Sequence, residues 1–285
     1  MNSNHSSLEI IKTIAALQIH LQKQSSQKPV GLVPTMGALH NGHLSLIKTA
    51  QAQAAMVVCS IFVNPTQFTN ISDLEKYPKP VEADLSKLEQ AQCDILFMPD
   101  VQEMYPQKEH WHLNIGEIEH RLEGKFRPGH YQGVMQIVYK LFMAVKPDLA
   151  FFGQKDFQQI RVIEKMTELK KLPVKLVVCP IIREADGLAM SSRNIHLSDQ
   201  ERKHALVLSW ALSQLKKSYV KEASPELRKE AMELISAEPQ VQLEYLEIVN
   251  MDNLNQDTSD PTQGIIALLA AKVGQTRLID NMILS

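Results

Sequence analysis

The chain has 285 residues, of which 44% are hydrophobic and 22% are charged, and its formal net charge is −2. This is ordinary globular composition, which argues against a disordered, fibrous or coiled-coil protein. Because the chain lacks the basic excess that phosphate-backbone binding requires, we do not expect a nucleic acid partner. The length allows either one large domain and one smaller domain or one extended domain.

The sequence also indicates where the protein resides. No stretch approaches the run of about 18 apolar residues that spans a bilayer. The start, MNSNHSSLEIIKTIAAL, lacks a basic segment before a continuous apolar core, so we expect a cytoplasmic protein without a membrane partner. Cys59, Cys93 and Cys179 are odd in number and widely separated, which favours buried reduced thiols over disulfides or a zinc site.

From residue 29 to residue 182, apolar runs with strand character alternate with amphipathic helical patterns. The predicted strands are 29–34, 56–63, 94–99, 148–153 and 174–182, and the predicted helices are 44–55, 81–91, 134–145 and 156–170. Continuous apolar strands joined by helical crossovers predict a doubly wound α/β domain, with a parallel sheet covered on both faces. Ligands of such sheets bind beyond the carboxyl ends of the strands.

After Ile182 the alternation changes. Ser198 and Glu201 form a capping-box pattern, and helices are predicted at about 199–219 and 225–236. The runs EYLEIVN, GIIALLAAKV and TRLIDNMIL resemble short strands of a smaller α+β unit. We therefore predict a ligand-binding α/β domain at 1–184 and a smaller C-terminal α+β domain at 185–285.

The stretch PTMGALHNGHLSLIKTA places two histidines at the start of a predicted helix. Gly37 and Gly42 allow close backbone approach, and a helix start offers unpaired N–H groups to an anion. His40 and His43, three residues apart, can face the same side and donate to phosphate oxygens. A metal pair or two solvated histidines are the alternatives, and the usual G-x-G-x-x-G dinucleotide motif is absent.

Two further loops follow predicted strands or precede helices. In NPTQF, Pro65 ends a strand and Gln67 can project over the sheet, although an exposed turn is the simpler interpretation. In RLEGKFRPGHYQGV, Arg121, Lys125, Arg127 and His130 lie among three glycines. This segment is either a mobile cationic lid over polyphosphate or a solvated basic loop.

The last two motifs also follow strands. In FFGQKDFQQIR, Lys155 suits a phosphate, and Asp156 suits a ribose hydroxyl, a Mg²⁺ shell or a helix N-cap. Gln159 lies one turn further along the predicted helix. In DGLAMSSRN, two serines and Arg193 can close on phosphates, although a surface loop explains this motif equally well when it is taken alone.

Five motifs together resemble one known family: PTMGALHNGHLSLI, SIFVNPTQF, LEGKFRPGHYQGV, FGQKDFQQ and DGLAMSSRN occur in its order and spacing. The chain resembles the pantoate-beta-alanine ligases, or pantothenate synthetases, within the HIGH-type nucleotidyltransferase superfamily. The H-x-G-H element alone marks only the superfamily, and the S-S-R segment is similar to its mobile K-M-S-K-S loop. Gln154, where Glu is frequent, and Tyr131-Gln132, where Phe-Arg is frequent, are departures.

The resemblance implies ATP-dependent condensation of (R)-pantoate with β-alanine through a pantoyl adenylate, giving pantothenate, AMP and diphosphate. It also implies Mg²⁺ dependence without naming its ligands, a Rossmann-like N-terminal domain that binds nucleotide and pantoate, and a cytoplasmic homodimer. By matching positions it implies catalytic roles for His43, His40, Lys155 and Arg193, and substrate binding by Gln67 and Gln159. The ATP contacts it implies are Met36, Gly37, Ala38, Leu39, His40, Asn41, Gly42, His43, Gly153, Gln154, Lys155, Asp156, Ile182, Met190, Ser191, Ser192 and Arg193.

Four other interpretations compete with this one. A cytidylyl- or adenylyltransferase would form a dinucleotide-like product instead of releasing AMP. An aminoacyl-tRNA synthetase fits less well, since the C-terminal part is short and not basic. A silent ATP-binding protein would bind nucleotide without turnover, and a metal-dependent hydrolase would use His40 and His43 as ligands.

Overall fold

The computed structural model describes residues 8–24, 28–220, 224–256 and 263–285, and these form two compact units. The first unit extends to His120 and adds Gly124–Gly153 and Val162–Cys179. The second unit consists of Arg121–Glu123, Gln154–Arg161 and Pro180–Ser285. The domain boundary at 184/185 stays a prediction from the sequence.

The first unit contains a six-stranded sheet in the order β1-β4-β3-β2-β5-β6, and every neighbouring pair is parallel. Its strands are β1 (Glu9–Ile11), β2 (Val30–Thr35), β3 (Met56–Ile61), β4 (Ile95–Phe97), β5 (Leu149–Gly153) and β6 (Lys175–Cys179). The central strands β2 and β3 are largely apolar and are almost fully buried. The parallel sheet predicted from the sequence is thus confirmed, with β1 as an additional edge strand.

Helices connect these strands. They are α1 (Ile14–Lys23), α2 (Asn41–Gln51), α3 (Ile71–Lys76), α4 (Val81–Gln90), α5 (Val101–Met104), α6 (Glu123–Phe126), α7 (His130–Val145) and α8 (Phe157–Leu169). The four helices predicted here correspond to α2, α4, α7 and α8. The prediction missed α1, which Thr13 caps by accepting from the N–H of Ala16, and the short helices α3, α5 and α6.

From β2 onward, the order of the strands reverses once along the chain. The chain proceeds outward from β2 through β3 to β4 and then returns to β5, on the other side of β2. In open parallel sheets, ligands bind beyond the carboxyl ends of the strands where this reversal occurs. The loop that follows Thr35 and the segment that follows Gly153 both begin at such ends.

The second unit contains an antiparallel sheet in the order β7-β8-β9. Its strands are β7 (Val241–Asn250), β8 (Ile265–Val273) and β9 (Thr276–Ile283), and its helices are α9 (Asp199–Ser218) and α10 (Ser224–Ser236). The helices pack on the sheet through buried aliphatic side chains, including Leu212, Ile235 and Leu269. The predicted capping box at Ser198 and Glu201 is confirmed. β7 begins three residues earlier than predicted, whereas β8 and β9 are each one residue shorter than the predicted runs.

The three cysteines are buried and free. Burial raises the pKa of the Cys93 thiol to about 12 and that of Cys59 well above its usual value. These thiols therefore stay protonated. The predicted burial of the three cysteines is confirmed. Within the described ranges, no helix is both long and apolar enough to cross a membrane.

Candidate active site

The loop after β2 is held in shape by a buried carboxylate. Gly37 and Ala38 have positive φ values of 82° and 50°. The N–H groups of Ala38 and Leu39 donate to the two oxygens of Asp84, at 2.8 and 2.7 Å. Asp84 lies on α4 and is 1% exposed, and Lys87 of the same helix donates to the Leu39 carbonyl. These contacts fix the backbone that leads into the H-x-G-H element.

The two histidines cap α2, which begins three residues earlier than predicted. His40 is the N-cap residue, and its Nδ1 accepts from the N–H of Gly42 at 3.1 Å. The Nδ1 of His43 accepts from the N–H of His40 at 3.3 Å. The ring centroids of the two imidazoles are 4.0 Å apart. Each imidazole ring is therefore oriented by a hydrogen bond from a backbone N–H group at the start of α2.

This capping determines which ring nitrogen can donate. Because a nitrogen that accepts from an N–H group carries no proton, each neutral imidazole has its proton on Nε2. The expectation of unpaired N–H groups at Gly42–Leu44 was wrong, since Gly42 donates to His40 Nδ1, and His43 and Leu44 donate to the His40 carbonyl. The Nε2–H groups are thus the donors suited to an anion here.

Gln67 lies in a one-turn 3-10 helix, Pro65–Gln67, directly after β3. Its side chain is oriented: Asn64 Nδ2 donates to Gln67 Oε1 at 3.1 Å, and Gln67 Nε2 lies 3.1 Å from Met36 Sδ. Tyr105 in turn donates its hydroxyl to Asn64 Oδ1 at 2.7 Å. Gln67 is 8% exposed, so the exposed-turn interpretation is wrong.

His130 supports this turn. Its Nδ1 lies 2.7 Å from the Gln67 carbonyl oxygen, and it is 6% exposed. Helix α7 approaches the Gln67 turn closely at Gly133, where an added Cβ would lie 2.3 Å from the Thr66 carbonyl oxygen. His130 is therefore a buried support of the Gln67 turn, which contradicts its inclusion in a mobile or solvated basic loop.

In the second unit, residues 154–156 form a 3-10 turn directly after β5. The amide of Asn281 on β9 donates to the carbonyls of Gln154 and Lys155, both at 2.9 Å, and accepts from Gln154 Nε2 at 3.0 Å. Lys155 is half-buried, and Asp156 is exposed. The turn is therefore attached to a strand that lies far away along the chain.

The segment with the S-S-R motif is a folded loop. Met190 donates its N–H to the Ile182 carbonyl at 3.0 Å, which pairs two predicted ATP contacts. Ser191 Oγ accepts from the N–H of Arg193 at 3.2 Å and caps the 3-10 helix Ser192–His196.

The base of this loop is also tied to β9. Arg183 forms a bidentate ion pair with Asp280, at 2.7 and 3.0 Å. Asn194 donates to Glu184 at 2.6 Å and to the Ala189 carbonyl at 3.1 Å.

Adjacent glutamines on α8 differ in role. Gln158 is 3% exposed; it accepts from the N–H of Glu123 at 3.0 Å and donates to the Arg121 carbonyl at 2.8 Å. Gln159 is half-buried. Gln158 thus fixes the start of the LEG segment, whereas the side chain of Gln159 is partly accessible to solvent.

The structure groups the predicted residues within each unit. In the first unit, Gln67 contacts Met36 and His40 contacts His43, and these residues follow the ends of β3 and β2. The second unit contains Gln154–Asp156 and Gln159, and the pair Ile182 and Met190 with Ser191–Arg193. Over the described part of the chain, no three His, Cys, Asp or Glu side chains form a metal-binding group.

Asp84 and Asn281 were not predicted from the sequence. A feature of the sequence around each residue could have indicated its role. Asp84 lies four residues before Leu88, so it occupies the apolar face of its helix. Asp280 and Asn281 interrupt the apolar part of β9, between Leu278-Ile279 and Met282-Ile283. A polar residue at a buried position requires a hydrogen-bonding reason.

Comparison with known sequences gives a full-length match. The family model for Pantoate-beta-alanine ligase matches residues 9–283. A pantothenate synthetase of Porphyromonas gingivalis is 45% identical over 280 residues, covering 96% of this chain and 99% of that protein. A pantothenate synthetase of Roseiflexus sp. is 44% identical over 279 residues, covering 97% and 99%.

Solved structures agree over the same length. The crystal structure of pantothenate synthetase from Thermus thermophilus has a TM-score of 0.89 and 38% identity, covering 97% of this chain and 99% of that one. A pantoate-beta-alanine ligase from Francisella tularensis, complexed with beta-gamma ATP and beta-alanine, has a TM-score of 0.80 and 34% identity, covering 98% of both chains.

Proposed function

Since the chain belongs to the pantoate-beta-alanine ligase family, we propose that its H-x-G-H, NPTQF, GQKD and S-S-R segments carry out ATP-dependent condensation of (R)-pantoate with β-alanine. The protein is a ligase that forms a C–N bond. The observation that carries this function is the family match over residues 9–283. The geometry of the two capping histidines supports their assignment to the nucleotide phosphates.

The reaction proceeds in two steps. A pantoate carboxylate oxygen attacks the α-phosphorus of ATP, which forms the pantoyl adenylate and breaks the bond to diphosphate. The deprotonated amine of β-alanine then attacks the acyl carbonyl, which forms the amide bond of pantothenate and releases AMP. Because pantoate supplies the nucleophile, the protein contributes alignment and charge stabilisation rather than a nucleophilic side chain.

His40 and His43 are proposed to bind the phosphates of ATP. Their Nδ1 atoms are engaged by backbone N–H groups, so their Nε2–H groups donate. A donor oriented before the reaction stabilises the charge that develops on phosphate oxygens without reorganisation during the step. The adjoining ATP contacts, Met36–Leu39, Asn41 and Gly42, belong to the same fixed loop.

Gln67 and Gln159 are proposed to hold pantoate, and Gln67 also to lie near β-alanine. Gln67 Oε1 is occupied by Asn64, which directs Nε2 as the donor toward a carboxylate. A neutral amide suits a carboxylate that must still react, because a bidentate arginine would stabilise the ground state more strongly.

Lys155 and Arg193 are proposed to neutralise the departing diphosphate, with Ser191 and Ser192 as further phosphate donors. Lys155 lies two residues after the carboxyl end of β5, in a turn whose carbonyl groups accept hydrogen bonds from the Asn281 side-chain amide. The remaining proposed ATP contacts are Gly153, Gln154, Asp156, Ile182 and Met190. Closure of the S-S-R segment would also protect the adenylate from water.

Magnesium is proposed to arrive with ATP. Mg²⁺ keeps several waters and is usually bound by substrate phosphates and one or two carboxylates. The described residues fit this mode, since they form no three-ligand cluster and Asp156 offers an exposed carboxylate beside Lys155. Bound there, the ion would offset negative charge on the phosphates.

A cytoplasmic homodimer is proposed from the family resemblance, and the buried free thiols suit a reducing compartment. Light scattering of the purified protein measures the oligomeric state directly. A monomer at micromolar concentration contradicts the dimer.

The test of function is exchange of labelled diphosphate into ATP, with Mg²⁺ and pantoate but without β-alanine. We expect exchange only when pantoate is present, because adenylation is reversible before the amine arrives. ATP binding without exchange contradicts the proposed adenylation. Addition of β-alanine is then expected to convert the adenylate to pantothenate and AMP.

A further inference from the structure

The Asn281 side chain forms three hydrogen bonds with the GQKD turn. It is 1% exposed, and its Nδ2 donates to the carbonyl oxygens of both Gln154 and Lys155 at 2.9 Å. Its Oδ1 accepts from Gln154 Nε2 at 3.0 Å. One amide thus satisfies two consecutive backbone carbonyls and one side chain of this turn.

The side chain that makes these contacts is itself held rigidly. Asn281 lies in the middle of β9, where it pairs with Leu268 of β8. Its N–H lies 2.7 Å from Asp280 Oδ1, and Asp280 is fixed by the bidentate contact with Arg183. A turn of three residues that is hydrogen-bonded to a sheet strand has little freedom to shift.

From this arrangement we infer that Asn281 is a positioning residue for Lys155 in the adenylation step. The inference rests on the proposed role of Lys155. Asn281 does not contact the reacting atoms; it fixes the main chain from which the lysine side chain extends. The position of the Lys155 main chain determines where the Lys155 ammonium group can contact the diphosphate.

The inference predicts a different effect on each half-reaction. Diphosphate is present only in the first step, so misplacement of Lys155 affects adenylation and leaves the attack of β-alanine on the adenylate nearly unchanged. A displacement of about 1 Å costs on the order of 100-fold in rate. A purely structural role would lower both steps together, in proportion to the folded fraction.

The experiment measures both steps on one preparation of Asn281→Ala. Diphosphate exchange into ATP reports adenylation, and chemically prepared pantoyl adenylate with β-alanine reports the second step. We expect exchange to fall by at least about tenfold and aminolysis to change by less than about twofold. Because the ratio of the two rates does not depend on the folded fraction, partial unfolding does not obscure the result.

Asn250→Ala provides the matched control. Asn250 is also 1% exposed, lies at the end of β7 in the same sheet, and accepts from the N–H of Asp252 at 2.7 Å. We expect this variant to lose thermal stability and to keep the wild-type ratio of the two rates. A changed ratio in Asn250→Ala, or an unchanged ratio in Asn281→Ala, overturns the inference.

A double-mutant cycle tests whether Asn281 acts through Lys155. In the Lys155→Ala background, we expect Asn281→Ala to cause no further loss of exchange, because the group being positioned is absent. A full additional loss shows that Asn281 acts elsewhere and overturns the inference. Wild-type exchange in Lys155→Ala alone instead overturns the proposed role of Lys155.

Discussion

The H-x-G-H loop and the GQKD turn both follow strands of the parallel sheet. The hydrogen bonds that stabilise them span very different distances along the chain. His40 and His43 cap their own helix through hydrogen bonds between residues that are two and three positions apart in the sequence. Gln154 and Lys155 depend on Asn281, which is 127 and 126 residues away. The first arrangement can be recognised in a short motif, whereas the second exists only after a distant strand has folded.

The largest expected effect comes from His43, where local capping and phosphate binding can be separated. His43→Ala removes an Nε2 donor, and loss of one preorganised donor costs on the order of 100-fold in rate. His43→Asn retains an acceptor near the position of Nδ1 and is expected to keep the fold but not the activity. Diphosphate exchange and thermal melting measure the two properties.

His43→Gln serves as the complementary variant, because it places an amide near Nε2 and no acceptor at Nδ1. We expect it to recover part of the exchange activity lost in His43→Asn. Equal exchange in His43→Ala and the unaltered protein would show that the imidazole has no role in adenylation.

Asp84 tests whether the H-x-G-H loop is determined only by local contacts. Asp84→Ala leaves the N–H groups of Ala38 and Leu39 without their buried acceptor, at a cost of about 2 to 4 kcal/mol in unfolding free energy. We expect diphosphate exchange by the folded protein to fall by about tenfold as the histidines lose their fixed position. Urea unfolding and exchange assays measure both effects.

Glu82→Ala is the control for Asp84, since Glu82 is exposed on the same helix. It is expected to leave stability and exchange unchanged. Wild-type exchange by Asp84→Ala, after correction for folded fraction, contradicts a positioning role for the carboxylate.

A smaller effect is expected at Gln67, whose orientation combines local and distant contacts. Gln67→Met keeps most of the side-chain volume but removes the amide that is proposed to hold pantoate. Loss of one such hydrogen bond, about 1 kcal/mol, raises the KM for pantoate by roughly fivefold. Steady-state kinetics with pantoate varied provide the measurement, and an unchanged pantoate KM would count against the assignment.

The smallest expected effect is on stability. It concerns the capping box of Ser198 and Glu201 in the second unit, which residues three positions apart form. Hydrogen bonds from the Ser198 N–H and hydroxyl lower the pKa of Glu201. The carboxylate therefore stabilises the fold above its unfolded pKa, and this contribution disappears as pH falls through the folded pKa. We expect Glu201→Gln to melt slightly below wild type at neutral pH.

The difference in melting temperature between Glu201→Gln and wild type is expected to vanish in acid, once the carboxyl group is protonated in both the folded and the unfolded protein. Ser198→Ala removes the same side-chain hydrogen bond and is expected to show a pH profile of the same sign. A difference that does not depend on pH would indicate that the capping box acts without its charge.

Much of the fold was accessible from the sequence because hydrophobic patterns are local. Continuous apolar runs predicted five of the six strands of the parallel sheet, whose central members are buried on both faces. The three-residue strand β1 and helix α1 were missed, since a strand that short carries no periodic pattern.

In the candidate site, too, some features could be predicted from the sequence and others could not. Motif spacing suggested His40, His43, Gln67 and Lys155 as candidates. It did not predict that His130 supports the Gln67 turn from a buried position. Nor did spacing predict that the helix N–H groups would be occupied by the imidazoles themselves. Such contacts depend on rotamers and on chain approach, which residue spacing does not encode.

By itself the sequence determined the alternation of strands and helices, the order of the motifs and, through them, the family. Only the tertiary structure decided which nitrogens of His40 and His43 donate and that Asp84 and Asn281 hold the two loops. The physical reason is that a buried polar group must find its hydrogen-bond partner wherever the fold brings one, even 46 or 127 residues away.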